Sequence, residues 1–200
     1  VEKKQEISSM KKIALLFLCL LLHIQANAEI QDVTVMWRGA LCDRRCVDSL
    51  YRLFKQIRPI ASVTIDPQAG KAHMIYKPGS KFEFQPINYA MRRIGLSLRD
   101  IRVRIRGTIS HTGDTLFINS LGDTTRFALI GFPEASRQRY VVPFSRYNRP
   151  LEADVKRALL FAEANHQLVT IEGPIFEPYG TDMILVVEKY DVQQDTKNNY

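Results

Sequence analysis

Cys42 and Cys46 are the pair of residues best suited to chemistry in this chain. Thiolates are soft ligands that select Cu(I), Zn(II) and related ions, and two of them can hold Cu(I) unaided. A spacing of four residues returns both side chains to one face if the segment is helical. With Cys42 just before a helix and Cys46 in its first turn, the helix N-terminus favours thiolate charge, and Arg44 and Arg45 act in the same direction. Three outcomes are open to such a pair: a metal site, a disulfide or redox pair, or two inert thiols that behave as small hydrophobes. Met36 could add a thioether as a third soft ligand and Trp37 could cover an ion, or both could pack on a sheet.

A second group is the row Arg102, Arg104 and Arg106, with Arg99 just before it. Alternate residues of a strand share one face, so these three form a basic row. It could meet a partner, or it could be a solvated outer face. The remaining chemistry-bearing residues are scattered. His73, His111 and His166 have no neighbouring ligand at metal-site spacing. Asp114, Asp123, Glu134, Glu152 and Asp154 show no acid–base pairing. No Gly-x-Ser-x-Gly, His-Glu-x-x-His or phosphate-binding glycine loop occurs. The expectation is therefore a binding protein and not an enzyme.

The elements that position these residues follow from periodicity. Val33 and Val35 alternate with polar neighbours as in a strand. Val47, Leu50, Leu53, Phe54 and Ile57 recur at helical spacing, with Asp43 or Cys42 as the cap and Pro59 as the stop. Ala61, Val63 and Ile65, then Ala72, Met74 and Tyr76, form a hairpin around Gly70. Pro86 opens a second helix that ends at Gly95, and a short strand over 96–99 completes β-α-β-β-α-β. Residues 33–76, with the loop Gly39-Ala40-Leu41-Cys42-Asp43-Arg44-Arg45-Cys46, resemble the heavy-metal-associated domain family. These are small ferredoxin-like modules that hold Cu(I) or a related ion between two loop cysteines. This loop has one more residue between its cysteines than the family's Gly-Met-x-Cys-x-x-Cys and no methionine after the glycine. The resemblance implies a ferredoxin-like domain over 29–100, with Cys42 and Cys46 as metal ligands and a metallochaperone-like role.

After residue 100 the pattern changes. Ile101, Val103 and Ile105 alternate with the arginines until Gly107 interrupts. Strands are expected over 116–119, 126–130, 168–172 and 183–187, with 140–144 a further short strand or an extension. A helix opened by Pro150 carries Leu151, Val155, Ala158, Leu159 and Ala162. Three strands, a helix and two strands is the order of an OB-type barrel, expected over 101–192, and the pattern resembles bacterial exported OB-fold modules. The fold class expected for the whole chain is thus α+β, a ferredoxin-like βαββαβ domain followed by an OB-type β-barrel domain. The polar residues 193–200 form a tail.

Lys11 and Lys12, the apolar run 13–24 and the small residues of Ala26-Asn27-Ala28 have the form of a secretory signal peptide over 10–28, with 1–9 upstream of the start at Met10. The apolar run is shorter than the ~20 residues a bilayer span needs. Removing 1–28 takes away four lysines and two glutamates, so the net charge falls from +7 to +5. The expectation is a mildly basic periplasmic or secreted protein. It would bind a soft metal ion or, alternatively, be a metal-free envelope interaction protein whose Cys42 and Cys46 are joined as a disulfide. An envelope protein is the partner expected for the barrel, and export argues against nucleic acid.

Overall fold

A computed structural model of the chain describes residues 30–38, 44–131, 150–176, 178 and 183–193. The expected signal peptide, residues 39–43 with Cys42 and Asp43, the expected strand over 140–144 and residues 194–200 lie outside the described residues. The elements are β1 (Ile30–Arg38), α1 (Arg44–Lys55), β2 (Ile60–Asp66), β3 (Lys71–Tyr76), α2 (Phe84–Arg93), β4 (Ser97–Thr112), β5 (Thr115–Ser120), β6 (Arg126–Ile130), α3 (Ala153–Ala164), β7 (Leu168–Phe176), β8 (Met183–Val186) and β9 (Lys189–Val192). Each forms where its apolar period requires. Leu50 and Phe54 carry α1 onto the sheet, and alternate residues of β1, β3 and β4 are buried.

The expected α+β fold, with a ferredoxin-like βαββαβ domain preceding a barrel domain, is overturned. The described residues are mostly β, with 49% in strands and 25% in helices, and their nine strands belong to one sheet in the order β2-β3-β1-β4-β5-β6-β8-β7-β9. The short closing strand expected over 96–99 does not exist as such. Ser97 begins a 16-residue strand that runs unbroken through the expected border at residue 100. Its first part pairs with β1 as far as Ile105 opposite Ile30, and its second part pairs with β5 from Gly107 onward. Along its other edge it pairs with β7, from Arg102 opposite Pro174 to Thr108 opposite Leu168. That second pairing closes β4, β5, β6, β8 and β7 into a five-stranded barrel. β6 and β8 meet in parallel and every other pair is antiparallel. With α3 between its third and fourth strands, the barrel is compatible with the OB type.

Gly107 does not interrupt β4; it lets the strand change neighbours. A Cβ there would lie 2.1 Å from the Asn119 carbonyl oxygen. Gly173 does the same for β7, where a Cβ would lie 1.8 Å from the Val186 carbonyl oxygen. Only glycine permits two backbones to approach so closely. The core is likewise continuous. The Phe82 ring lies 6.2 Å from Tyr76 of β3 and 6.2 Å from Phe127 of β6, joining the open sheet to the barrel. All three are buried in one apolar cluster. No helix among the described residues is long and apolar enough to cross a membrane.

Candidate functional site

Cys46 lies in the first turn of α1, the position from which the sequence reading draws its chemistry. It is disulfide-bonded. The chain has only two other cysteines, Cys19 and Cys42, and both lie outside the described residues. A sulfur bound to another sulfur is not a thiolate, so Cu(I) ligation through Cys46 requires reduction first.

Met36 and Trp37 occupy opposite faces of β1. Trp37 is 3% exposed, and its backbone N–H donates to the Gly70 carbonyl at 3.0 Å. Its indole Nε1 is buried without an acceptor. Met36 is half-buried opposite Asp100 and Lys71, and Arg99 Nη2 donates to its Sδ at 3.2 Å. The histidines stand apart. His73 Nε2 lies 3.3 Å from Asp32, His111 Nδ1 lies 2.7 Å from Glu163, and His166 is exposed in the left-handed region at φ 52°.

Arg102, Arg104 and Arg106 do share one face of β4, as the alternation predicts. Acids and amides from distant segments surround them. Arg102 forms an ion pair with Glu188 and a second with Asp100 at 3.8 Å. Arg104 is exposed, with Asp32 of β1 opposite it on one side and Glu172 of β7 on the other. Arg106 Nη2 donates to Gln193 Oε1, and its Nε is buried without a partner. Burial pushes the Asp100 carboxyl above its ordinary range, and Arg102, the Ile101 backbone and Arg99 pull it back only in part.

The most site-like concavity belongs to the barrel. A cleft of about 1020 Å³ runs along β5 and β6 to the start of α3. Among the described residues, Lys81, Arg126 and Lys156 line it with one carboxylate, Asp114, while Phe117 and Ile184 supply apolar wall. Arg126 lies 3.5 Å above the Phe117 ring centroid, a cation–π stack that holds the guanidinium along the wall. Lys156 Nζ is 3.4 Å from Asp114, which is fully exposed in the β4–β5 turn. Of these residues the sequence singles out only Asp114, as one of the scattered acids. Lys81, Arg126 and Lys156 come from a loop, a strand and a helix separated by up to 75 positions, taking 156 minus 81. No spacing rule links them; only the barrel does.

Asp123 accepts from the Thr125 backbone N–H at 3.0 Å and from its hydroxyl at 2.6 Å, which is local turn chemistry. Glu152 and Asp154 are exposed at the start of α3, and Glu134 lies outside the described residues. Compared with protein-family models, curated proteins and solved structures, the chain matches none.

Proposed function

We propose that this chain is an exported, non-enzymatic interaction protein whose barrel cleft grips an extended acidic segment of an envelope protein. The cleft carries this reading, because among the described residues three cations line it against one carboxylate that is itself engaged by Lys156. An acidic segment laid along β5 and β6 would meet Lys81, Arg126 and Lys156. OB-type barrels commonly use this side for elongated ligands. The disulfide at Cys46 supports an oxidising compartment and a structural role for the cysteine. The side of β4 that carries the arginine row supports it less, since its charges are largely answered within the protein.

Titration with an oligoglutamate peptide, followed by backbone NMR, tests the proposal. Shifts should concentrate on Lys81, Phe117, Arg126 and Lys156, and an oligolysine peptide should produce none. Lys156→Glu should weaken binding by about tenfold, since a cation turned into an anion at an interface removes attraction and adds repulsion. Shifts spread evenly over the surface, or equal binding by the variant, would overturn the reading.

A further inference from the structure

The cleft leaves a different charged surface unexplained. α1 and α2 touch one another and bury their inner faces in the same core. Their outer faces carry Arg44, Arg45, Arg52, Lys55, Arg92 and Arg93, all exposed. The acids on these helices and their caps among the described residues are Asp48 and Glu83, and Asp43, outside the described residues, directly precedes α1. Arg52 Nε and Lys55 Nζ spend hydrogen bonds on backbone carbonyls, of Asp48 at 3.4 Å and Ala61 at 2.8 Å, and keep their charge uncancelled. Two tyrosines stand among these cations, Tyr51 at 43% and Tyr89 at 64% exposure. Each lies one helical turn before a cation on its own helix, Tyr51 before Lys55 and Tyr89 before Arg93.

We propose that this two-helix face docks on an anionic phospholipid surface, with the cations at the phosphates and the Tyr51 and Tyr89 rings at headgroup depth. Several observations favour a bilayer over other polyanions. Two adjoining helices present a ridged face and not a pocket, so the partner must be a surface. Tyrosine prefers the membrane–water boundary, where its ring is apolar and its hydroxyl wet. Long basic side chains one turn away reach from that depth to the phosphates. A single-stranded nucleic acid would instead favour a basic groove with stacking aromatics along its path, and neither helix supplies a groove. α3 provides the contrast within the molecule. Its Phe161 is as exposed as Tyr89, yet its last turn holds no cation and its first turn holds Asp154.

Flotation with vesicles of phosphatidylcholine, with and without phosphatidylglycerol, tests the proposal. Each variant is compared with the parent chain carrying the same N-terminal segment, so that any contribution of the apolar run 13–24 cancels. The double variant Arg92→Glu, Arg93→Glu should lose at least about tenfold in partition to the anionic vesicles. Tyr89→Ala should lose severalfold, whereas Phe161→Ala and the cleft variant Lys156→Glu should lose nothing. The last comparison separates this surface from the cleft, so either proposal can fail alone. A Tyr89→Trp variant gives an independent signal against buried Trp37: its emission should shift blue and be quenched by brominated phosphatidylglycerol. Retained binding by the double Glu variant, or no quenching of Trp at position 89, would overturn the assignment. So would a single-stranded oligonucleotide that displaces the vesicles at equal phosphate concentration.

Discussion

The two regions joined by β4 treat their surfaces in opposite ways. On the N-terminal side, β2, β3 and β1 lie in an open sheet with α1 and α2 over one face, and the cations of those helices point outward. On the C-terminal side the strands close on themselves, and cations from three separate elements turn toward one cleft. Where the regions meet, the arginines of β4 are met by Asp32, Asp100, Glu172 and Glu188. Basic residues at similar density thus become an outward-facing surface, a lined cleft and a balanced seam. Their geometry, and not their number, sets which of these a given arginine joins.

The sharpest way to break the barrel without touching the open sheet is Gly173→Val. Its Cβ would sit 1.8 Å from a backbone oxygen that the β7–β8 pairing holds in place. A clash with backbone cannot be relieved by a rotamer change, so the expected cost exceeds about 4 kcal/mol. Thermal unfolding should show a collapsed or absent transition; a melting temperature near that of the parent would mean that β7 and β8 do not meet as described.

Next in size is Phe82→Ala, which cuts the aromatic link between the regions. Truncating a buried phenylalanine costs about 3–5 kcal/mol. Urea unfolding followed by Trp37 fluorescence, which reports the open sheet, and by far-ultraviolet dichroism should shift by the same amount. Two separated transitions would show that the open sheet and the barrel unfold independently across residue 100.

The cysteines come third. Opening a disulfide typically removes about 2–4 kcal/mol. The oxidised protein should leave Cu(I) with a calibrated chelator. The reduced protein should compete for one equivalent, and the Cys42→Ser, Cys46→Ser variant should not compete in either state. Equal competition by that variant would end the copper reading for Cys42, Cys46 and Met36 together.

The smallest effects lie at the seam. Arg102→Ala removes the guanidinium that pairs with half-buried Glu188 and Asp100 and should cost about 1–3 kcal/mol. Exposed Arg104→Ala should cost less than about 0.5 kcal/mol. Asp100 adds a pH signature. Its folded-state pKa is raised, so the folded protein holds a proton there that the unfolded chain releases. Its contribution to stability is therefore greatest below the ordinary carboxylate range and falls as pH rises through the window between the unfolded and folded values. Asp100→Asn should flatten that slope in a pH series of unfolding midpoints; an unchanged slope would assign it to another group.

Short-range pattern in the sequence determined much of this protein. The helical spacing of Leu50 and Phe54, the alternation in β1 and β3, the hairpin at Gly70 and the shared face of Arg102, Arg104 and Arg106 all depend on a few neighbouring residues and were legible from them. Local signals also placed α2 and α3, although α2 starts two residues before Pro86 and α3 three residues after Pro150. Tertiary structure decided whatever required distant segments to meet. Periodicity shows that Ile101 and Ile105 alternate inward but cannot show that the strand continues from Ser97, because a change of neighbour at Gly107 looks locally like a break. β9 is short and polar, and it is a strand only because β7 offers it an edge. The two cysteines are compatible with metal, disulfide or inert thiols, since four-residue spacing is the same for all three, and the disulfide at Cys46 is a fact that no local pattern supplies. The cleft was the least legible feature, because Lys81, Arg126 and Lys156 have no sequence relation to one another and converge only when the barrel closes.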